Sequence, residues 1–406
     1  MRHFRAFASG TGLGTLAAGV IASVFASPGS CARADDLGTA RLFEQEYRVQ
    51  RFNYRSSITF PDRKTAGRTV PLHSVTGAVH LGDDRYLVST NSAWMVPPYS
   101  YRNYVLEVRL DLGPTGVPTG LSYVRTLLWS DPSLDGYDLD PRGLTINPDL
   151  GGLGGGGNLV VAGGNNTLRQ FSLSTGASIP FGTSPMGNGV PIAPNTSTED
   201  VVYVPSRGMF YTLWRTPESS ITMLNSVGRV GPAFRVGVRR NAGSGYPSGV
   251  TLLEPWPYWP RSFNSATTLL VALDSNGPAL EAYDLDSRPL GRVRLSSQLT
   301  PGAVTLPLSG SSAQLWISAL AANNQTGRLL IFNKGLTPGE ADVFVLTPIP
   351  EPCPPDFNLD GFVDFFDFDE FIIGYENGDP RADTDRDGFI DFMDYDLFVE
   401  SYDRGC

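Results

Sequence analysis

The chain has few of the residues from which most enzyme and metal sites are built, with three cysteines and three histidines in 406 residues. Beyond residue 34 the only histidines are His73 and His80, and isolated histidines are usually structural. No G-x-S-x-G, H-E-x-x-H or P-loop motif occurs. Charged residues make up 18% of the chain and form no basic cluster, so nucleic acid is not an expected partner. The sequence therefore assigns no catalytic residue and no substrate to the main body.

Long apolar runs are also scarce, and the one present lies at the N-terminus. Arg2, His3 and Arg5 precede a small, apolar stretch over 11–26, and Ala32-Arg33-Ala34 offers an A-x-A cleavage site. The pattern predicts a signal peptide over residues 1–34 and a secreted protein, extracellular or at the cell surface. No membrane span is expected after cleavage, because no second apolar run follows.

Two alternatives to a cleaved signal peptide fit this segment less well. A transmembrane anchor would need a longer run, less rich in Gly and Ala. A lipoprotein would use Cys31, but Pro28 stands where such sites usually have Leu. Cleavage after Ala34 removes Cys31 and leaves Cys353 and Cys406, and an even count in an exported protein favours a disulfide. Closing a loop of that length would stabilise the folded state by about 4 kcal/mol.

The acidity of the chain is concentrated at its C-terminal end. Residues 353–406 carry sixteen acidic residues against three arginines, a net charge of −13, which leaves about +3 for the rest. Two segments there match, D-F-N-L-D-G-F-V-D-F-F-D from Asp356 and D-T-D-R-D-G-F-I-D-F-M-D from Asp383. Over 356–375 and 383–402, ten of twenty aligned positions are identical, so this region is an internal duplication.

The spacing within each segment is that of a calcium loop. Ca²⁺ takes six to eight oxygen ligands and needs a sharp turn at loop position 6, filled here by Gly361 and Gly388. Two calcium ions are therefore expected. The predicted ligands, at positions 1, 3, 5, 7, 9 and 12, are Asp356, Asn358, Asp360, Phe362 (carbonyl), Asp364 and Asp367, then Asp383, Asp385, Asp387, Phe389 (carbonyl), Asp391 and Asp394.

Each loop is expected to lead into a helix but not to follow one. Pro354, Pro355 and Pro380 stand before the loops and disfavour an entering helix. The residues after the loops have helical apolar spacing, so the two helices should pack together. These apolar positions are Phe368, Phe371, Ile372, Tyr375, Tyr395, Phe398, Val399 and Tyr402. A duplicated loop-helix unit with Asp at position 12 resembles a dockerin over residues 353–406.

The resemblance implies docking to a cohesin-like receptor on a scaffold or cell surface. Dockerins of cellulose-degrading complexes often have small hydroxylated residues at loop positions 10 and 11, where this chain has Phe365, Phe366, Phe392 and Met393. These side chains form either extra core or an apolar contact surface for a different partner. A third interpretation is a calcium-clamped cap that binds no receptor.

The body, residues 35–346, is predicted to be mainly β, because short β-rich runs alternate with turn residues. The runs fall into sets of four that start at Gly77, Gly143, Asp200, Gly249 and Gly302, and the starts are 66, 57, 49 and 53 residues apart. This period predicts a β-propeller of five four-stranded blades. Residues 43–60 could add a closing strand or part of a sixth blade, and a β-sandwich is the alternative fold.

A Pro-rich linker over 347–355 should separate the body from the small α-helical, dockerin-like domain. Two pieces of the body, Asp140-Pro-Arg142-Gly and Thr198-Glu199-Asp200, weakly resemble inner strands of phytase-like and lactonase-type propellers. Arg142 stands where that pattern has Glu, and the second piece lacks the Gly. The sequence leaves two functions open for the body: a non-catalytic, polysaccharide-associated binding or surface protein docked through its tail, or a secreted hydrolase of a polysaccharide, phosphate ester or lactone.

Overall fold

The computed structural model describes most of the chain after residue 33. The described residues are 34–63, 65–90, 103–130, 140–148, 157–163, 167–179, 190–191, 197–215, 220–225, 228–229, 234–235, 246–255, 259, 266–274, 277–310, 314–334, 341–349, 355–358, 362–384 and 388–404. The predicted signal peptide lies outside these ranges up to residue 33, as do Cys353 and Cys406 of the predicted disulfide. Within the described ranges, no helix has the length and apolarity needed to cross a membrane.

Within the described residues, the body contains five sheets of four or five strands, which are antiparallel except for one short strand of the fourth sheet. The first contains β5 (Val75–Gly82), β6 (Arg85–Thr90), β7 (Asn103–Leu112) and β8 (Pro118–Ser130). The second contains β9 (Pro141–Asn147), β10 (Asn158–Gly163), β11 (Thr167–Ser172), β12 (Ser178–Ile179) and β13 (Val190–Pro191). The third contains β14 (Ser197–Val204), β15 (Met209–Arg215), β16 (Ser220–Asn225), β17 (Gly228–Arg229) and β18 (Phe234–Arg235).

Two further sheets and one small hairpin complete the body. The fourth sheet contains β19 (Pro247–Leu253), β20 (Thr268–Leu273), β21 (Ala279–Asp284), β22 (Pro289–Ser296) and a short parallel strand, β23 (Val304–Thr305). The fifth contains β24 (Ile317–Asn323), β25 (Arg328–Asn333), β26 (Asp342–Pro348), β2 (Gln45–Asn53) and β1 (Asp35–Leu42). The hairpin pairs β3 (Thr59–Pro61) with β4 (Thr69–Pro71).

The first strand of each sheet packs against the first strand of the next. Thus β5 contacts β9, β9 contacts β14, β14 contacts β19, β19 contacts β24, and β24 contacts β5. These five strands are the innermost strands of their sheets. The protein is therefore mainly β, as predicted, and its sheets have a propeller-like arrangement, which excludes the β-sandwich. The innermost strand of the last sheet, β24, is buried along its whole length because both of its faces are covered.

The N-terminal segment completes the last sheet. β2 pairs antiparallel with β26, with Val49 opposite Leu346, so the stretch 43–60 contains a strand that joins the two ends of the body. The prediction that Gly302–Leu306 begins the last set of strands is wrong. Val304 and Thr305 instead pair in parallel with β22, at the outer edge of the fourth sheet. Only two residues pair there, whereas seven residues of β2 pair with β26, so β2 and, beyond it, β1 complete the last sheet.

Three helices are present in the described residues: α1 (Tyr54–Ser57), α2 (Phe365–Asn377) and α3 (Phe392–Arg404). α2 begins at a capping box. The Asp364 side chain accepts from the backbone N–H of Phe366, and the Asp367 side chain accepts from the backbone N–H of Asp364. α2 ends at Gly378, whose φ of 69° is the left-handed conformation that closes many helices. Before the second loop, α2 ends at Asn377 and a 3₁₀ turn at Pro380–Ala382 leads into Asp383, whereas residues 350–354 before the first loop lie outside the described residues.

Candidate functional site

Each C-terminal loop closes around the aspartate at position 12. Asp367 is fully buried, and its two carboxylate oxygens accept from the backbone N–H of Asn358 at 3.0 Å and of Asp364 at 2.9 Å. Asp394 is 1% exposed and accepts from the N–H of Thr384 at 2.6 Å and of Asp391 at 2.9 Å. Each side chain thus ties the start of its loop to the end, and the two loops do this in nearly the same way.

The aspartate at position 9 begins the helix that follows each loop. Asp364 accepts from the N–H of Phe366 at 2.8 Å, and Asp391 accepts from the N–H of Met393 at 2.8 Å. A side-chain oxygen that satisfies these otherwise unpartnered amides is what an N-terminal cap supplies. The loop-to-helix sequence predicted from the duplication is therefore found at both repeats.

Position 1 of the second loop keeps one oxygen available. Asp383 Oδ2 accepts from the N–H of Gly388 at 3.1 Å, and Gly388 has a φ of +92°, the sharp turn predicted at position 6. Asp383 Oδ1 is buried and has no hydrogen-bond partner within the described part of the chain. A buried carboxylate oxygen without a partner is costly, and a bound cation would satisfy it.

The donor set is chemically that of a calcium site. All predicted side-chain ligands are carboxylates or an amide, the hard oxygen donors that Ca²⁺ prefers. A carboxylate oxygen that accepts one N–H keeps a second lone pair, so Asp367 and Asp394 remain able to bind a cation. Asp360, Asp385 and Asp387 lie outside the described residues. Among the residues that are described, no three acidic, histidine or cysteine side chains converge as a metal site.

The two helices pack through the apolar faces predicted for them. Phe371 and Phe398 are buried and stack face to face, with ring centroids 3.7 Å apart and planes 1° apart. Phe357 meets both rings edge-on at 5.6 and 6.3 Å. The partly buried residues around them are Phe368, Ile372, Tyr375, Ile390, Tyr395 and Tyr402. The shared core is aromatic, and the equivalent positions of the two repeats meet in it.

The apolar residues at loop positions 10 and 11 face solvent. Phe365 is 69% exposed, Phe366 67%, Phe392 65% and Met393 58%. They are therefore not part of the core that the helices share. Phe362 and Phe389, whose carbonyls are predicted ligands, also expose their rings, by 72% and 71%. The duplicated region thus carries six large exposed apolar side chains at matched positions, more than scattered surface residues would supply.

In the body, the innermost strands share a β-bulge that was not predicted from the sequence. Each has a β-bulge near its start, where one residue is skipped in the pairing with the next strand. The five skipped residues are Thr76, Arg142, Glu199, Ser248 and Ser318. The available signal was the small or short residue that follows each of them: Gly77, Gly143, Asp200, Gly249 and Ala319.

Close packing between neighbouring sheets explains those small residues. A Cβ on Gly77 would lie 2.4 Å from the carbonyl oxygen of Arg142, and one on Gly143 would lie 2.4 Å from Cα of Asp200. A Cβ on Gly249 would lie 3.1 Å from the backbone nitrogen of Leu320. The bulges therefore bring adjacent inner strands into backbone contact, and larger side chains would push them apart.

Asp200 links three sheets at this level. It is completely buried, and it accepts from the N–H groups of Val201 and Val250, both at 2.8 Å, and from that of Leu144. Burial raises its pKa well above the usual value, although the three N–H donors oppose that shift. Asp200 therefore holds neighbouring strands together rather than capping a turn at a strand edge.

Asp140 and Glu199 belong to the two segments that weakly resemble propeller strands, and both contact Arg142. Arg142 contacts Glu199 at 3.1 Å and Asp140 at 3.5 Å, and all three side chains are partly buried. The guanidinium group stands between carboxylates that could otherwise hold a cation, and it neutralises part of their charge. His73 lies near Arg55, and His80 lies near Asp83 and Asp84. His80 Nε2 donates to the carbonyl oxygen of Asp83 at 2.6 Å, a structural contact.

Comparison with known proteins adds little to this geometry. No family model matches the chain, and no curated protein matches it. Among solved structures, a glucose dehydrogenase is 13% identical with a TM-score of 0.35, covering 72% of this chain and 80% of its own. A structural genomics protein of unknown function from Bacteroides thetaiotaomicron VPI-5482 is 10% identical, TM-score 0.38, covering 75% and 76%. A protein of unknown function from Bacteroides caccae is 12% identical, TM-score 0.36, covering 75% and 83%.

Proposed function

We propose that residues 353–406 form a dockerin-like module that binds two calcium ions and docks the β-sheet body to an extracellular or cell-surface protein. The observation that carries the proposal is the matched pair of loops, each closed by a buried aspartate at position 12. Calcium would be held by the carboxylates at positions 1, 3, 5, 9 and 12, with the amide of Asn358 in the first loop. The ion would neutralise the repulsion among them.

Calcium binding and folding of this region should be coupled. The segment 353–406 has a net charge of −13, and its core is small, so the metal-free form is opposed by charge repulsion. A disulfide between Cys353 and Cys406 would close the module at its two ends. Mapping of unreduced peptides by mass spectrometry tests that pairing, and alkylation of both thiols without reduction would count against it.

The five sheets of the body are proposed to be the five blades of a propeller. The pairing of β2 with β26 supports this number, because it supplies the last sheet with its outer strands and joins the two ends of the body. The signal peptide proposed for residues 1–34 would export the protein, and the Pro-rich stretch 347–355 would act as a stiff spacer. The body would then be presented away from its attachment point.

The exposed aromatic residues at the helix starts support docking to a protein. Phe365, Phe366, Phe392 and Met393 are each more than half exposed, and a cohesin-like receptor would cover them. A calcium-clamped cap has no need for matched apolar residues on two repeats. A hydrolase is the less favoured function, since Asp140 and Glu199, which converge in the body, are both paired with Arg142.

A capture experiment tests docking. Full-length protein is used to capture partners from the native extracellular fraction, with calcium or with chelator, as wild type and as Phe365→Asp/Phe392→Asp. Partners should be captured only with calcium and only by the wild type. Leu299→Asp is the matched control, because Leu299 is 92% exposed in the body. Equal capture by the double variant would place the docking surface elsewhere, and no calcium-dependent partner at all would favour the cap.

A further inference from the structure

A cleft lined by arginines lies between the fourth and fifth sheets. It has a volume of about 500 Å³ and is lined by Arg41, Phe43, Arg292, Val293, Arg294, Gly302, Ala303 and Val304. β1 of the fifth sheet supplies Arg41, and β22 of the fourth supplies Arg292 and Arg294, which lie two residues apart on one face of the strand. Three arginines and no acidic residue line the cleft.

Two of these arginines, Arg41 and Arg294, form no ion pair within the described residues. Arg292 lies opposite Glu281 and contacts its buried carboxylate at 3.3 Å. Arg294 lies opposite Ala279, and within the described residues it forms no ion pair. Arg41 donates only to the carbonyl oxygen of Glu44, at 3.3 Å. Arg294 and Arg41 therefore keep most of their donors available, and guanidinium forks suit carboxylate and phosphate groups.

Phe43 supplies an apolar wall held in an unusual conformation. It lies in the tight turn between β1 and β2 with a φ of 56°, which is uncommon for a residue with a bulky side chain. Its ring lies over Gly291, where a Cβ would be 2.9 Å from the ring. Strained backbone that the surrounding structure holds in place is common at ligand sites.

The dimensions of the cleft favour an organic anion over a bare ion. A water molecule occupies about 30 Å³ of liquid, so the cleft could hold many waters or one ligand the size of a sugar. An oxyanion alone would leave most of the cleft, including the part of the Phe43 ring that lines it, in contact with water. We infer that this cleft binds a small organic anion, with its carboxylate or phosphate group held by Arg294 and Arg41 and its remainder packed against Phe43.

Calorimetry on the full-length protein tests the inference with four probes: glucuronate, glucose 6-phosphate, inorganic phosphate and glucose. One of the two sugar anions should bind with a stoichiometry of one, more weakly as salt is raised, and glucose should not bind. The comparison of glucuronate with glucose 6-phosphate distinguishes a carboxylate from a phosphate ligand. Binding of inorganic phosphate as tight as that of the sugar anions would overturn the role given to Phe43.

Variants locate the binding. Arg294→Ala should weaken the sugar anion about tenfold or more, as expected for loss of a charge-assisted hydrogen bond. Arg109→Ala is the matched control, since Arg109 is an exposed arginine of β7 outside the cleft, and it should have no effect. Gly291→Ala, which displaces the Phe43 ring, should weaken the sugar anion more than inorganic phosphate. Unchanged binding in Arg294→Ala, equal losses in both arginine variants, or no anion binding above glucose would refute the inference.

Discussion

Alanine substitutions at the glycines that follow the bulges test the contact between inner strands. In Gly143→Ala the new Cβ would lie 2.4 Å from Cα of Asp200, whereas non-bonded carbons normally stay about 3.5–4.0 Å apart. Two backbones would have to separate by about 1 Å, in a region where both strands are buried. Overpacking usually costs about 1–3 kcal/mol, and we expect the upper end or more here because no flexible side chain can move aside.

The glycine-to-alanine substitutions should differ in how much stability they cost. Gly77→Ala meets the carbonyl oxygen of Arg142 at 2.4 Å and should cost about as much as Gly143→Ala, while Gly249→Ala meets backbone atoms at 3.1–3.3 Å and should cost about 1 kcal/mol. Gly113→Ala is the control, because its nearest neighbour at 3.1 Å is the Thr119 methyl group and its φ is ordinary. There the lower entropy of the unfolded chain should offset the contact.

Urea unfolding of the full-length chain in saturating calcium measures the series, with tryptophan fluorescence as the signal. The urea midpoint should be highest for Gly113→Ala, lower for Gly249→Ala, and lowest for Gly77→Ala and Gly143→Ala, at an unchanged m-value. If Gly77→Ala and Gly143→Ala lose no more stability than Gly113→Ala, the inner strands are not in backbone contact and the propeller-like arrangement is wrong.

Two further predictions concern buried polar groups. Asp200→Ala should cost about 2–6 kcal/mol in the same urea assay, because it leaves the N–H groups of Val201 and Val250 without an acceptor, and a loss below about 1 kcal/mol would contradict the linking role. Burial and the neighbouring Arg55 lower the pKa of His73 from 6.5 to about 4, so its neutral form contributes stability above pH 6.5 that is lost as the pH falls through about 4. His73→Gln should reduce the difference in unfolding free energy between pH 7 and pH 4 by on the order of 3 kcal/mol, and an identical pH dependence in both proteins would argue against a buried neutral histidine.

The local elements could be predicted well from the sequence, and the long-range pairings could not. The duplication that starts at Asp356 and Asp383 located both loop-helix units, because capping and apolar spacing are local signals. The Pro301-Gly302 turn followed by Val304 and Thr305 resembles the start of a sheet, yet these residues pair with β22, and the last sheet is completed by β2 and β1. Which strands complete a sheet depends on pairing between residues almost 300 apart, such as Val49 and Leu346.

The candidate sites divide in the same way. Carboxylates at calcium-loop spacing are recognisable because one short segment supplies every ligand. The pairing of Arg142 with Glu199 and the cleft that holds Arg41 and Arg294 join residues from different sheets. Their chemistry becomes visible only once the strands are in place. The exposure of Phe365 and Phe392 likewise depends on which aromatic residues the paired helices bury.

Calcium titration of the full-length protein by calorimetry is the most direct test of the account. Two ions per chain should bind, Asp367→Asn or Asp394→Asn should each remove one of them, and the double variant should bind none. Asp369→Asn/Asp396→Asn is the matched control, since these exposed acids occupy equivalent positions in the helices outside the loops, and it should still bind two. A wild-type stoichiometry well below two, or two ions retained by the Asp367→Asn/Asp394→Asn variant, would contradict the proposed module.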